Sequence, residues 1–492
     1  MAYDGFGAFV ESLQNAGELK RIREPIATEL EITELADREM KSPGGGKALL
    51  IEKPTVNGEI SPFPLAINTM GSHQRIAMSL SAPSVDHVAG ELASLIKAKP
   101  PAGFSEAIKL LGTALDLRHA RPKMTARGRC QDVIHRQEEL KPATVPCPTL
   151  LNLPILKCWP MDAGRFVTLP CVVTKDPDTG ERNVGMYRIQ IFDGQTTGMH
   201  WQLQKVAARH GRRYYETGER MPVSIFLGGD PVFTFCATAP LPDGLDEFLL
   251  AGYLRKKSVE LVKCVSNDLE VPADADFVIE GYVDPKEPLR AEGPFGDHTG
   301  YYSLPDLYPA FHITAITHRK DAVYPATIVG MPPMEDFYIG TASVKLFLPV
   351  LKMNFPELVD LALPAEGVFH NLVFASIKKS YPMQAYKIMH GLWGMGQMMF
   401  TKYIIVVDED VDVHNTSEVL FRLCATTDPQ RDALFTRGPA DVLDHATTEL
   451  AVGSKLGIDA TRKMPGEGFK REWPPLIKMD VAVKSKIDKF LR

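Results

Sequence analysis

Cysteine is sparse in this 492-residue chain: seven residues, an odd number, with no CxxC pair and no zinc-finger spacing. A disulfide scaffold is excluded, and reduced, mostly buried thiols are the expected state. No uninterrupted apolar stretch reaches the roughly 18 residues of a membrane-spanning helix. A surplus of positive charge is also missing. Lys and Arg number 55 against 61 Asp and Glu, a net charge of -6, so no global basic field draws the chain to nucleic acid. The first residues, MAYDGFGAFVESLQ, carry an early acid and no basic segment ahead of an apolar one, which does not read as a secretory signal. A soluble protein of the reducing cytoplasm is the expectation.

What is present is ordinary globular composition, 45% hydrophobic and 24% charged, in a chain long enough for two or three domains. The 38 Gly and 38 Pro are spread along it and imply many turns. Phe6, Phe9, Val10 and Leu13 recur at helical spacing, and Thr28 with Glu31 forms a capping-box pattern ahead of a second helix. Ala48 to Ile51 and Leu65 to Asn68 read as buried strands, and the Pro43-Gly-Gly-Gly-Lys47 run, lacking phosphate-loop spacing, as a plain loop. An α/β domain over 1–125 follows, its end marked by Ala98 to Gly103 and the basic stretch Arg118 to Arg129. From Arg165 the texture changes to strands and hairpin turns: Phe166 to Val173, the Asp176 to Gly180 turn, Asn183 to Phe192, then Pro222 to Leu227, Asp276 to Tyr282 and Ala310 to Thr317, with a helix inserted from Leu245 to Lys257. An antiparallel β-domain, barrel or split sheet, is predicted for 126–325 and a second α/β domain for 326–492. In the latter, Tyr403 to Val407 fits a buried parallel strand, with Asn415 and Glu418 capping the next helix.

Three stretches carry candidate chemistry. Asn183-Val-Gly-Met-Tyr-Arg188 puts an amide and a fixed cation into an apolar strand. Five residues apart, they would face opposite sides of a regular strand unless Gly185 marks a bulge; a solvated edge strand is the structural alternative. His200 follows the next turn and would lie close to Asn183 if the two strands pair. Glu247 stands off the Leu245, Phe248, Leu249, Gly252 packing stripe. Asn183, His200 and Glu247 together offer an amide oxygen, an imidazole nitrogen and a carboxylate, donors suited to Mn²⁺ or Mg²⁺. Glu292-Gly-Pro-Phe-Gly-Asp297 sets two carboxylates about one turn, beside an Arg an acid/base device and otherwise a structural turn. Asp408 to Asp412 fails as a calcium loop because Val413 and Val419 occupy its Gly and Glu positions. Val483, Ile487, Phe490 and Leu491 form a stripe amid lysines, fit to dock on another subunit or, at most peripherally, on a membrane.

The ordered set NVGMYR, GMHWQ, LPDGLDEFLLAGYLR, ELVKCVSNDLEVPADADFVIEGYVDP, EGPFGDHTGYYS and KYIIVVDEDVD closely resembles the UbiD family of prenylated-flavin-dependent decarboxylases, over essentially the whole chain. The resemblance implies a prenylated FMN held by a split-barrel domain, supplied by a flavin prenyltransferase and bridged through its phosphate to Mn²⁺ and K⁺. It makes Asn183, His200 and Glu247 the manganese ligands, with Met186, Tyr187, Arg188 and Trp201 lining the cofactor and Lys402 approaching its phosphate. The family's catalytic Glu, Arg and acid fall on Glu292, Arg188 and Asp297. Asp297 stands where some relatives carry Glu, and His200 where ubiquinone-branch relatives carry Arg. The C-terminal domain is implied to build a homodimer or hexamer. KMPGEGFKREWPP near the end looks like that of menaquinone-pathway members, so the expected substrate is a hydroxylated naphthoate, with 4-hydroxy-3-polyprenylbenzoate second. An inactive flavin-binding homologue and an ordinary FMN oxidoreductase are the alternatives. His298 and Tyr301 or Tyr302 are expected to border the substrate.

Overall fold

The computed structural model describes residues 2–96, 118–140, 149–202, 204–242, 244–368 and 370–490. The Ala98 to Gly103 stretch and Cys147 lie outside them, as does Leu491.

The first helix, Phe6–Asn15, buries the four residues its spacing singled out, Phe6, Phe9, Val10 and Leu13. They pack on Ala48, Leu50 and Ala66, while the alternate residues Leu49, Ile51, Leu65 and Ile67 join the core of the next layer. A sheet buried on both faces has continuous apolar strands. This one orders Leu19–Ile22, Ala48–Ile51, Leu65–Ile67 and Tyr324–Ala326, so the chain returns to it after the whole central region. The second helix, Glu31–Met40, departs from expectation: Leu30, not Thr28, is its cap residue. Thr28 is instead drawn into pairing with the Thr55 carbonyl through its N–H at 2.9 Å and its hydroxyl at 3.0 Å. Glu31 still reaches back, accepting from the Ala27 N–H at 2.8 Å.

The central sheet has nine antiparallel strands. Its path runs Arg182–Met186, Cys171–Lys175, Met221–Leu227, Phe277–Val283, Ala310–His318, Thr196–Met199, Ile189–Ile191, Phe166–Val167, with Val133–Arg136 also on Ala310–His318. Two expected strands are cut, Phe166 to Val173 between Val167 and Cys171 and Asn183 to Phe192 at Tyr187 and Arg188. The second cut dictates the shape. Arg182–Met186 ends one side of the path and Ile189–Ile191 lies next to the other end, yet three peptide links, at most about 11 Å, join them. The sheet therefore curls into a half-barrel, helped by a register shift between Glu280 and Gly281.

The C-terminal region places Leu358–Ala362, Leu372–Ile377, Tyr403–Asp408, Val452–Asp459 and Ala433–Pro439 in one sheet. Tyr403–Asp408 is central and parallel to both neighbours, as its apolar run predicts, and Asn415 caps Thr416–Thr426 by accepting from the Glu418 N–H at 3.2 Å. The acids after the strand are held by basic groups: Asp410 by Arg422 at 3.1 Å and Arg462 at 2.7 Å. The last helix, Val481–Asp488, leaves Val483, Ile487 and Phe490 exposed. Among the described residues no helix is long and apolar enough to cross a membrane. Five of the six described cysteines are buried and all six are free.

Asp276 ties these layers together. Fully buried, it accepts the backbone N–H groups of Phe6 at 3.0 Å, Gly229 at 2.8 Å and Val323 at 3.0 Å. Asp276→Ala orphans two buried donors and the part-buried Val323 N–H, at about 1–3 kcal/mol for each buried group left unsatisfied, and is expected to lower the urea midpoint of unfolding with little change in slope.

Candidate active site

The strand Arg182–Met186 pairs in unbroken register with Cys171–Lys175, Gly185 opposite Val172. Gly185 is therefore not a bulge. Its missing side chain makes room for the Tyr187 ring, since a Cβ there would sit 2.3 Å from the phenol oxygen. Tyr187 folds back over the strand, within 3.5 Å of the Asn183 amide nitrogen, and burial pushes its phenol up to about 12. Arg188, leaving the strand, points into the barrel.

There it meets two carboxylates. Its Nε donates to Glu292 Oε1 at 2.9 Å and Nη2 to Oε2 at 2.8 Å, a planar two-point fork. Nη2 also donates to Ser303 Oγ at 3.0 Å, and Nη1 donates to Asp297 Oδ2. The guanidinium lies 5.1 Å from the Phe295 ring centre. Glu292 closes the strand Arg290–Glu292, and the chain turns at Gly293, with φ 88, to bring Asp297 round. Asp162 braces the turn, accepting from Gly296 N–H at 2.7 Å and from Trp159 N–H at 2.9 Å. Gly296 must lack a side chain because a Cβ would lie 2.2 Å from the Trp159 ring.

Burial alone would drive both carboxylates toward their neutral forms. For Glu292 it is outweighed by His200 and Arg188, and its acidity is raised. For Asp297 burial is outweighed by His298 and Arg188, which hold its carboxyl well below the usual range. His298 rises despite burial because it bonds Asp297. The centre therefore sets two carboxyls whose acidity is raised, a guanidinium and an imidazole whose charged form is favoured within hydrogen-bond reach of one another. It can grip an acid group and exchange a proton beside it, which are the components of a decarboxylation or carboxylation site.

Arg188, Glu292 and Asp297 thus come together. The other expected residues divide. Asn183 and Glu247 adjoin, since Glu247 Oε2 accepts the Val184 N–H at 2.8 Å; burial lifts the Glu247 carboxyl to about 7. Asp246, not Leu245, opens the helix Glu247–Leu254, and Leu245 is exposed rather than part of its packing stripe. His200 does not lie on a strand beside Asn183: Thr196–Met199 pairs with Ile189–Ile191 and Ala310–His318, while Arg182–Met186 pairs elsewhere. His200 Nδ1 is instead 3.1 Å from Glu292 Oε2, under the Tyr308 ring at 4.3 Å. Among the described residues no cluster of three His, Cys, Asp or Glu could hold a metal. Asn183, His200 and Glu247 supply an amide oxygen, an imidazole nitrogen and a carboxylate, donors that fit a hard cation. A flavin also fits: His200 Nε2 and Trp201 Nε1 are buried without hydrogen-bond partners, polar groups of the kind a heterocycle's edge satisfies. Met186, next to Tyr187 in the sequence, is half-buried. Lys402 is paired with Asp444 at 2.7 Å in the C-terminal region.

Sequence reasoning missed Asp162, Ser303, Tyr308 and His370. Only Ser303, at the end of the EGPFGDHTGYYS run, stood in a motif that could have flagged it. Tyr301 is exposed, and the Tyr302 hydroxyl accepts from the Met161 N–H at 3.2 Å.

Three family models match, all described as parts of 3-octaprenyl-4-hydroxybenzoate carboxy-lyase: the N-terminal domain over 10–93, the Rift-related domain over 125–332 and the C-terminal domain over 337–460. The chain belongs to the UbiD family. An uncharacterised protein of Archaeoglobus fulgidus is 45% identical over 99% of this chain and 98% of its own, and one of Aquifex aeolicus 47% identical over 98% and 96%. Among solved structures, Sedimentibacter hydroxybenzoicus vanillic acid decarboxylase in closed form is similar with a TM-score of 0.83 and 25% identity, covering 100% of both chains. The UbiD-class enzyme HmfF of Pelotomaculum thermopropionicum, in complex with FMN, shares the fold with a TM-score of 0.77 at 24% identity, over 97% of this chain and 99% of that one.

Replacing Arg188 with Met leaves two buried carboxylates without their cation, a loss of about 3–5 kcal/mol for a broken buried pair. The carboxyls of that variant protonate more readily in the folded state, so its deficit in thermal unfolding is expected to grow as pH rises from about 5 to about 7.

Proposed function

We propose that this protein catalyses the non-oxidative, reversible decarboxylation of an aromatic or α,β-unsaturated carboxylic acid with prenylated FMN, its substrate a hydroxylated naphthoate of menaquinone biosynthesis. The observation that carries the reading is the fork of Arg188 on Glu292 with Asp297 on its other arm. Prenylated FMN supplies the electron sink for CO₂ loss, which no side chain can provide. Arg188 receives the substrate carboxylate as a fixed planar cation. Glu292 keeps that cation in place, and Asp297 delivers the proton to the carbon that loses CO₂. His200 and Trp201, with their unpartnered nitrogens, and Met186 and Tyr187 hold the cofactor.

Asn183, Glu247 and His200, the last through its unpartnered Nε2, would hold Mn²⁺, with K⁺ as a second cation, and Lys402 would approach the cofactor phosphate. The working division is a 1–125 N-terminal domain, a 126–325 cofactor domain and a 326–492 domain that builds the homo-oligomer; an evolved dimeric form of HmfF in complex with prenylated FMN, at a TM-score of 0.76 and 23% identity, shares the fold. A flavin prenyltransferase supplies the cofactor. The second substrate reading is a 4-hydroxy-3-polyprenylbenzoate, favoured by the description of the matching family models.

Co-expression with a flavin prenyltransferase, followed by CO₂ release over a panel of hydroxylated naphthoic and 4-hydroxybenzoic acids, tests the reading. Release from the naphthoic acids is expected; a preference for the benzoic acids selects the second substrate, and unmodified FMN with no CO₂ release refutes the decarboxylase. Asp297→Asn is expected to retain the flavin absorption spectrum while losing decarboxylation and CO₂ exchange, by on the order of 100-fold or more for a positioned proton donor. Glu247→Ala should instead lower manganese content and flavin absorbance together.

A further inference from the structure

Asp297 is held from two sides. Its Oδ2 faces Arg188, whereas Oδ1 accepts the His298 backbone N–H at 2.7 Å and lies 2.9 Å from His298 Nδ1. On the far edge of that ring, His298 Nε2 is 2.9 Å from Nε2 of His370. His370 Nδ1 in turn is 3.1 Å from Asn371 Oδ1. His298 falls in the central family span and His370 in the C-terminal one, so the chain of contacts joins two parts of the protein.

The geometry counts the protons. A carboxylate and an amide oxygen only accept, so the outer nitrogens, His298 Nδ1 and His370 Nδ1, both carry hydrogen. Two ring nitrogens 2.9 Å apart share one hydrogen between them. Three protons on two imidazoles make one positive charge. The groups around the pair decide where it sits. Asp297, Asp336 and Asp441 face His298 and favour the charge there, against its burial. His370 is lowered by burial and by the charge of His298, with Lys205 adding to that against Asp441, whose Oδ2 is 3.6 Å away. His298 is the imidazolium and His370 the neutral acceptor.

We propose that His298 stores the proton that Asp297 delivers to the substrate carbon, and that His370 is the positioning residue that keeps it stored. The proposal rests on the reading of Asp297 as the proton donor. A carboxylate held as far below its usual range as Asp297 almost never carries a proton of its own at neutral pH, so the donor needs a loaded neighbour. His298 Nδ1–H passes its proton to Asp297 Oδ1, leaving a neutral imidazole whose Nε2–H stays on His370. The carboxyl then forms the new C–H bond where CO₂ departed and returns to carboxylate. Water restores the proton to Nδ1, one for each CO₂ released.

The test uses the full chain, ¹⁵N-labelled at histidine and co-expressed with a flavin prenyltransferase. In the wild type one imidazole, identified by its loss in His298→Gln, is expected to remain charged at about pH 7. His370→Leu removes the acceptor and is expected to move that titration down by about one unit, a tenfold change in affinity. His370→Gln, whose amide oxygen can accept, restores it. The charged form exists below the His298 pKa and is lost as pH rises through it. In CO₂ release from a hydroxylated naphthoic acid, the basic limb of kcat therefore moves to lower pH in His370→Leu, with KM unchanged and kcat down roughly tenfold, a share of the effect of a positioned proton donor. A neutral His298 in the wild type at about pH 7, or a His370→Leu variant with wild-type titration, overturns the proposal. Should Asp297→Asn be inactive while His370→Leu keeps the wild-type kcat profile, the proton store fails and the reading of Asp297 stands. An Asp297→Asn variant as active as wild type removes both.

Discussion

The contact between Arg188 and the two carboxylates it separates sets terms for the whole barrel interior. Glu292 is fully buried and Asp297 nearly so, and two such charges within reach of each other would repel and protonate without a cation between them. A guanidinium suits the place because it stays charged and its planar edge matches a carboxylate at two points. With His298 protonated, the centre carries two negative and two positive charges. A neutral cluster can be buried, and a substrate carboxylate that enters finds a fixed cation already oriented.

That arrangement explains otherwise arbitrary backbone. The break between Arg182–Met186 and Ile189–Ile191 costs ladder hydrogen bonds, but it turns Arg188 inward and forces the sheet to curl around it. Gly185 gives up a side chain so that Tyr187 can lie back across the strand, and Gly296 does the same beside Trp159. Asp162, from a segment far away in sequence, takes the N–H of Gly296 and so holds the turn that carries Asp297. Small residues collect where the charged groups must be held to a fraction of an ångström.

The centre is also not the property of one part of the chain. The break between two barrel strands supplies Arg188, a two-stranded ribbon beside them supplies Glu292, the turn after Glu292 supplies Asp297 and His298, and the C-terminal region brings His370 against that imidazole. Family membership fits this plan, because all three family models match along the chain. Lys402 and Asp444 form a pair of their own in the C-terminal region.

The sequence alone determined the segments whose information is local and the class of chemistry. The 6–15 helix, the buried Tyr403–Asp408 strand and the Asn415 cap were legible because periodicity and capping act within a few residues. Arg188, Glu292 and Asp297 were legible as a set through the family resemblance of the runs that carry them, whereas the residue types alone left an edge strand and a structural turn open. The tertiary structure decided what depends on distance across the fold. Thr28 was expected to cap a helix and pairs with Thr55 instead, a partner 27 residues away. Gly185 could have marked a bulge; the register is unbroken, and the Tyr187 ring above it explains the glycine. His200 was expected close to Asn183 if their strands paired; the two strands pair elsewhere in the sheet, and its Nδ1 lies against Glu292. His370 carried no signal at all, since a lone histidine acquires chemistry only from what is packed against it, and Asp297 and His298 lie some seventy residues away in the sequence.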